Sequence, residues 1–164
     1  MSIQIVAKPI TAAAFAPFGD LLDASGDPDK IINQGQCGRY HDRALLDFSN
    51  GRAGISIFSA NPRSLPYRLD MVERHPDGSQ AFISMTHQPF LVVVAPDEGG
   101  QPGEPKAFIT QPGQAVNYHR GTWHGVLTPL HAPGLFAVVD RIGSGSNLQE
   151  FWFDAPYQVV EAKS

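Results

Sequence analysis

The sequence predicts an all-β fold, a barrel or sandwich of short strands, and two observations support this prediction. Glycine and proline contribute 16 and 14 of the 164 residues and are spread along the chain, which is typical of turns between many short strands. Only residues 11–15 look helical, with Thr11 as a candidate N-cap and Pro17 as a stop signal. Rolling the sheet into a closed structure would also hide its strand edges.

Eleven segments have the length and residue types of strands. The clearest runs from Phe90 to Ala95, is apolar throughout, and is bounded by Pro89 and Pro96. The predicted strands are 3–6, 19–22, 54–59, 67–74, 80–85, 90–95, 107–110, 114–119, 123–127, 135–140 and 149–153. Because no linker-like segment separates them, we expect residues 1–164 to form one domain.

Composition and charge narrow the class of protein. A net charge of -4 and a pI near 5.8 argue against a nucleic-acid or anionic-membrane partner. No apolar run approaches the roughly 20 residues that span a bilayer, and the first residues lack the pattern of a signal peptide. The single cysteine, Cys37, excludes a disulfide framework within the chain. A single cysteine also suits a reducing compartment, so we expect a cytoplasmic protein.

Four polar side chains are candidates for one site. Alternate residues of a strand share a face, so Glu73 and His75 should point the same way and Arg74 the opposite way. Gln80 begins the next predicted strand, and His124 lies in the strand predicted over 123–127. Imidazole, carboxylate and amide groups suit Zn, Ni, Mn or Fe(II). A hydrogen-bonded core network without a metal explains the same residues.

Two segments resemble the cupin motifs. The segment that ends at His124 resembles the second motif, with His119 at the usual proline position and His124 at the metal-ligand position. The first motif is matched loosely, with Glu73, His75 and Gln80 at its ligand positions. The resemblance implies a cupin-like barrel or jelly roll.

A more specific resemblance joins four motifs. They are Glu-Arg-His-Pro-x-x-Ser-Gln-Ala-Phe-Ile from Glu73, Asn-Tyr-His-Arg-x-x-Trp-His from Asn117, Arg-Tyr-His-Asp from Arg39, and Asp-Arg from Asp140. Together they resemble the ureidoglycolate lyase family, nearly end to end. The resemblance implies a homodimer that splits ureidoglycolate into glyoxylate and urea during allantoin (purine) degradation.

Within this family, the catalytic residues are expected to be His75, His124 and Glu73. An imidazole acts directly as the base, since it titrates near neutral pH, or His75, Gln80 and His124 hold a divalent Ni, Zn or Mn ion that acidifies the substrate hydroxyl. The sequence leaves both routes open. No serine or cysteine nucleophile stands beside these histidines in any motif, which favours elimination over covalent hydrolysis.

Five further residues are predicted to bind substrate. Arg39 and Arg141 are the favoured anchors for the substrate carboxylate, because guanidinium binds carboxylate in a bidentate fork. Asn117 and Tyr118 are candidates for the ureido group, although neighbouring strand residues face opposite ways and only one should reach it. Trp123, beside His124, completes the set.

Two other functions fit the same residues. One is a cupin metalloenzyme that acts on another small 2-hydroxy or 2-keto acid. The other is a non-catalytic module that binds a small ligand and uses its histidines in a polar core. The first predicts turnover of a different acid, whereas the second predicts ligand-induced thermal stabilisation without turnover.

Overall fold

The computed structural model describes residues 2–163, which form sixteen strands and one short helix, α1 (Ala12–Phe15). Thr11 caps this helix by accepting a hydrogen bond from the Ala14 amide at 3.2 Å. The strands are β1 (Ile3–Pro9), β2 (Gly19–Leu22), β3 (Lys30–Ile32), β4 (Cys37–Arg39), β5 (Arg52–Ala60), β6 (Tyr67–Arg74), β7 (Gln80–Ser84), β8 (Phe90–Ala95), β9 (Asp97–Glu98), β10 (Gln101–Pro102), β11 (Lys106–Ile109), β12 (Ala115–Tyr118), β13 (Trp123–His124), β14 (Thr128–Pro129), β15 (Gly134–Ile142) and β16 (Gln149–Glu161).

Six of the strands close into a barrel. They pair in the order β11-β1-β16-β6-β13-β8, and β8 pairs with β11 to complete the ring. The pairings of β1 with β11 and with β16 are parallel, whereas the others in the ring are antiparallel. Closure leaves these six strands without a free edge, which confirms the predicted all-β, cupin-like architecture.

A second sheet packs against one side of this barrel. Its order is β2-β12-β7-β15-β5, with antiparallel pairing throughout. Strand β5 is its outer edge and is largely exposed. The hairpin β3–β4 pairs only with itself and belongs to neither sheet.

Strand β8 separates two apolar cores, and all six of its residues are buried. Phe90, Val92 and Val94 face the second sheet, whereas Leu91 and Val93 face the barrel interior. A strand buried on both faces needs apolar residues at every position, which explains the unbroken run between the two prolines. Residues on the Val94 side of the barrel wall therefore face the second sheet.

The predicted strands are found, with changes at their ends. Strands β2, β6 and β8 match the predicted bounds, whereas β13 is shorter than the predicted 123–127 and β16 extends beyond 149–153 to Glu161. The short pairs β3–β4 and β9–β10 and the strand β14 were not predicted, because their two or three residues carry no alternating pattern. Among residues 2–163, no helix is long and apolar enough to cross a membrane.

The hydroxyl of Thr110 offers a test of barrel closure. This side chain is buried, and its Oγ1 accepts a hydrogen bond from the Phe90 amide at 3.0 Å where β11 meets β8. Thr110→Val keeps the shape but leaves that amide without its partner, so we expect the free energy of unfolding to fall by about 1–3 kcal/mol. Urea denaturation measures the change. The exposed-site control Ser64→Ala should stay within about 0.5 kcal/mol of the parent, and an equal loss in both variants would contradict the prediction.

Candidate active site

The candidate site lies between the barrel and the second sheet. Glu73 of β6 pairs with His124 of β13, and His124 pairs with Val94 of β8. Paired residues share a face of a sheet, so Glu73 and His124 face the second sheet, as Val94 does. His75, one residue beyond the end of β6, joins them. The local sequence thus places a carboxylate and two imidazoles on one wall.

The three side chains form a compact cluster. One ligand atom from each of Glu73, His75 and His124 lies within 4.8 Å of the other two, and the two imidazole centroids are 5.2 Å apart. Tyr118 from β12 stacks on His124, with ring centroids 4.3 Å apart and an interplanar angle of 1°. Phe82 approaches the same imidazole edge-on at 6.5 Å. Aromatic packing therefore fixes the orientation of His124.

The tautomer of His124 follows from its hydrogen bond. Its Nδ1 lies 2.8 Å from the carbonyl oxygen of Gly125 and donates to it, so Nε2 carries a lone pair. That Nε2 is buried and has no hydrogen-bond partner among residues 2–163. Burial, together with the nearby charge of His75, lowers the pKa of His124 to about 3. The neutral imidazole thus presents an unused lone pair to the cluster.

His75 faces hydrogen-bond acceptors at both ring nitrogens. Its Nδ1 lies 2.8 Å from the carbonyl oxygen of Asn147, and its Nε2 lies 2.9 Å from Oε1 of Gln80. The Gln80 amide is oriented by its own Nε2, which donates to Asp140 at 3.1 Å. A neutral imidazole donates from one nitrogen only. In either tautomer one ring nitrogen therefore faces an acceptor without donating to it, and a cation between His75 and Gln80 would satisfy the contact between their two acceptor atoms.

Glu73 is half-buried, and burial raises the pKa of its carboxyl group, as does the neighbouring Glu150, although His75 acts in the opposite direction. Tyr118 is buried as well, and burial and the charge of Glu73 raise the pKa of its hydroxyl group above the usual value. On the solvent side, Glu73 lines a cavity of about 360 Å³ that also includes Met71 and Trp152. A small molecule in this cavity can reach Glu73, the cluster member that lines it.

The donor set fits a divalent metal ion. His124 supplies an unpartnered buried nitrogen. In the tautomer in which Nδ1 of His75 donates to the Asn147 carbonyl, Nε2 of His75 is an acceptor that faces Oε1 of Gln80. Each imidazole donates its other nitrogen to a backbone carbonyl, which is the usual support for a histidine that binds metal. With the Glu73 carboxylate, the set suits zinc, nickel or manganese.

Two residues predicted to bind substrate lie on other faces. Trp123 is buried in the barrel core on the face opposite His124, and its Nε1 donates to Asp97 at 2.9 Å. Arg141 follows Asp140 and points away from the cluster, as alternation along β15 requires. Its guanidinium donates to the carbonyl oxygens of Ser49 at 2.6 Å and Asn50 at 3.1 Å. These contacts hold the loop that contains Ser49 and Asn50 in place.

Asn117 and Tyr118 face opposite ways, as strand alternation predicts. Tyr118 is in the cluster, whereas Asn117 lies on the outer face of β12 and donates to Asp20 at 3.1 Å and to the Leu45 carbonyl at 3.0 Å. His119 also bonds to Asp20, at 2.9 Å. Asn117 and His119 therefore belong to a separate network that ties the segment at Leu45 to the second sheet.

Arg39 ends β4 in the exposed β3–β4 hairpin. Its guanidinium makes no hydrogen bond or ion pair with any residue in the described range 2–163, and it does not line the cavity beside Glu73. Within one chain, the structure does not bring Arg39 to the cluster.

The Asp20 network predicts a pH-dependent stability. Burial opposes ionisation of Asp20, but hydrogen bonds from Leu45, Asn117 and His119 outweigh it and lower the pKa below 3.8. A carboxyl group with a lowered pKa stabilises the fold above its unfolded pKa and loses this contribution as the pH falls through its folded value. Asp20→Ala should cost about 1–3 kcal/mol at pH 7, and its difference from the parent should shrink by pH 3. Urea denaturation at both pH values measures this, and a constant difference would contradict it.

Two supports of the cluster were not predicted as site residues. Asp140 orients Gln80 through a side-chain hydrogen bond, and its pairing with Gln80 across β15 and β7 places it there. Asn147 contributes its backbone carbonyl to His75 and its side chain to the Asp77 amide. A backbone carbonyl in a loop leaves no signal in the sequence, whereas a carboxylate next to a predicted strand end does.

The fold and the cluster together define the class: this is an all-β protein of cupin-like architecture with a Glu–His–His site between its barrel and its second sheet. The sequence model of the family described as Ureidoglycolate lyase matches residues 2–160. The chain belongs to the ureidoglycolate lyase family.

Curated relatives agree with this assignment. Ureidoglycolate lyase of Rhodobacter capsulatus is 58% identical over 157 residues, which cover 95% of this chain and 98% of the relative. Ureidoglycolate lyase of Chelativorans sp. is 52% identical over 158 residues, 95% of this chain and 96% of the relative. Ureidoglycolate lyase 2 of Rhizobium meliloti is 52% identical over 162 residues, 98% of this chain and 99% of the relative.

Proposed function

We propose that this protein is a lyase that cleaves ureidoglycolate to glyoxylate and urea. The observation that carries the proposal is the nearly full-length family match of a chain whose fold assembles Glu73, His75 and His124 into one cluster. The cavity beside Glu73, about 360 Å³, can admit a substrate of this size.

The reaction needs only the movement of one proton. The substrate carbon bears a hydroxyl group and a ureido nitrogen, and cleavage removes the hydroxyl proton, breaks the carbon–nitrogen bond, forms the carbonyl of glyoxylate and protonates the departing nitrogen. No water is consumed and no redox change occurs. We assign this proton to the carboxylate of Glu73, which takes it from the hydroxyl oxygen and returns it to the urea nitrogen.

We further propose that the site holds a divalent metal ion, with His75, His124 and Gln80 as its ligands. A bound ion of this kind supplies a Lewis acid that makes the substrate hydroxyl more acidic. Asp140 orients Gln80, and Tyr118 holds the His124 ring in one plane by stacking on it. These two side chains act through the ligands by positioning them.

The remaining context of the enzyme follows the family. We propose that the whole chain works as one domain in a homodimer, in the cytoplasm, and that it serves allantoin degradation in purine catabolism. The exposed apolar face of the second sheet supports self-association, since Ile55 of β5 is 74% exposed and Ile57 is 59% exposed.

A product assay tests the function. Purified protein is supplied with freshly prepared ureidoglycolate, and glyoxylate, urea and ammonia are followed together, with Zn²⁺, Ni²⁺, Mn²⁺ or chelator added. We expect glyoxylate and urea in equal amounts, above the spontaneous rate. Ammonia in place of urea would identify a hydrolase instead. No acceleration with any metal, together with thermal stabilisation by the ligand, would favour a binding module.

A further inference from the structure

The cavity beside Glu73 has little positive charge to offer an anionic substrate. Its lining carries the carboxyl groups of Asp70, Glu73 and Glu150 and the guanidiniums of Arg63 and Arg68. Arg68 is already paired with Asp70 at 2.8 Å. Arg63 makes no ion pair within residues 2–163, but together with Arg68 it is outnumbered by the three carboxyl groups, so a substrate carboxylate that leaves water there needs an additional cation.

The other arginines near the cluster in the same chain are occupied. Arg74 points to the opposite face, where its guanidinium carbon lies 4.3 Å from the Trp123 ring centroid and its Nη1 bonds to Asp97 at 2.9 Å. Arg120 lies 3.5 Å from Asp47. Arg141 donates to backbone carbonyls on the face away from the cluster. None of the three is placed to bind a substrate beside Glu73.

The chain carries an unused arginine on a projecting segment, residues 24–43, here called the arm. The arm contains the hairpin β3–β4, and none of its residues is buried. Its side-chain contacts are internal: Tyr40 donates to the Gly26 carbonyl at 2.8 Å, and Arg43 pairs with Asp29 at 2.8 Å. Arg39 stays unpaired within the described chain. An isolated two-stranded hairpin is marginally stable in water, so the arm needs a surface to pack on.

Exposed apolar side chains indicate that this surface belongs to another copy of the chain. Ile31 in the arm is 58% exposed, and Leu45 at its base is 69% exposed. Edge strand β5 adds the exposed pair Ile55 and Ile57 beside the same second sheet that covers the cluster. The arm and the sheet edge both carry exposed apolar side chains, which two copies of the chain can bury against each other.

We propose that the arm reaches across a homodimer and that Arg39 binds the substrate carboxylate in the active site of the partner subunit. Each active site then combines the cluster of one chain with the guanidinium of the other. The inference rests on the proposed ureidoglycolate lyase activity and goes beyond it, because it makes a single chain incomplete as a catalyst. It also accounts for the Arg-Tyr-His-Asp motif, which makes no contact with the cluster of its own chain.

Single substitutions in the arm test the anchor. Arg39→Gln should raise KM for ureidoglycolate roughly 10- to 100-fold, the cost of losing a charge-assisted contact, with a smaller change in kcat. Arg39→Lys should recover part of the loss, because it restores the charge without the fork. The matched control is Arg43→Gln, which removes an arm arginine already paired with Asp29 and should leave KM unchanged. Equal KM values for Arg39→Gln and Arg43→Gln would overturn the proposal.

Subunit complementation tests whether the anchor acts across the dimer. Glu73→Gln and Arg39→Gln chains are coexpressed with different tags, and the mixed dimer is isolated by two affinity steps. In the proposed arrangement, one of its two sites contains an intact cluster and an intact arginine, so kcat/KM per dimer should recover to about half the parent value. The control dimer of Glu73→Gln with His75→Asn has both defects in the cluster and should stay inactive. The melting temperature of each variant verifies that it folds.

Four outcomes of these experiments would overturn the proposal. A mixed dimer no more active than the two variant homodimers would place Arg39 in the active site of its own chain. Failure to recover any mixed dimer would argue against an arginine supplied across subunits. An unsubstituted protein that is fully active as a monomer would exclude it as well. An anchor within the chain would instead make Arg63→Gln raise KM. Failure of the parent protein to release glyoxylate and urea would reject the lyase activity itself, a result that the product assay reports separately.

Discussion

Glu73→Gln should lower kcat/KM for ureidoglycolate cleavage roughly 100- to 10,000-fold, the usual contribution of a positioned general base. The substitution keeps the size of the side chain and removes only its ability to accept the proton. Burial raises the pKa of the Glu73 carboxyl group above the usual value, so the folded protein gains little from its charge. We therefore expect the free energy of unfolding to change by less than about 1 kcal/mol, which separates catalysis from folding.

A matched control lies on the adjacent strand. Glu150 of β16 pairs directly with Glu73 and lines the same cavity, but it is exposed and lies outside the cluster. Glu150→Gln removes a neighbouring exposed carboxylate but leaves the base Glu73 in place, so kcat/KM should change by less than about tenfold, far less than for Glu73→Gln. Steady-state kinetics and urea denaturation of both variants give the answer. A Glu73→Gln variant as active as Glu150→Gln would assign the proton transfer to a histidine.

Much of the fold could be predicted because the sequence patterns are local. Strand β8 is apolar at every position and lies between two prolines, so a strand buried on both faces follows directly. Strand β6 ends before the Pro76 turn, as its sequence indicates. The short pairs β3–β4 and β9–β10 depend on turn geometry, with positive φ angles at Asn33 and Gly99, and two or three residues are too few to carry a periodic signal.

The candidate site was predictable where strand alternation decides it. Placing Glu73 and His75 on one face and Arg74 on the other follows from the period of two, and the structure brings the first two together with His124. The same rule separates Trp123 from His124, because adjacent strand residues face opposite ways. Whether Arg39 could reach a site depended on long-range packing, which one sequence does not specify.

The structure also shows why the histidines are not interchangeable. His124 is buried and oriented by stacking, and it offers one unpartnered nitrogen to the cluster. His119 lies five residues earlier, on the outer side of the second sheet, and its Nε2 bonds to Asp20. Two imidazoles from one motif thus serve different purposes, the first at the candidate metal site and the second in a structural network.

This difference predicts the metal affinity of two variants. His124→Gln removes the buried nitrogen with little change in volume. We expect the dissociation constant for Zn²⁺, Ni²⁺ or Mn²⁺ to rise by more than about 100-fold, because substituting a residue that only hydrogen-bonds to a metal ligand already weakens metal binding about 10- to 100-fold. His119→Gln should bind the metal as the parent does. Metal-free proteins titrated in competition with a chromophoric chelator report the constants independently of activity.

Parent-like affinity in His124→Gln would place the metal elsewhere. A parent that binds none of the three ions would leave proton transfer to the side chains alone, in which case the effect of Glu73→Gln should persist unchanged.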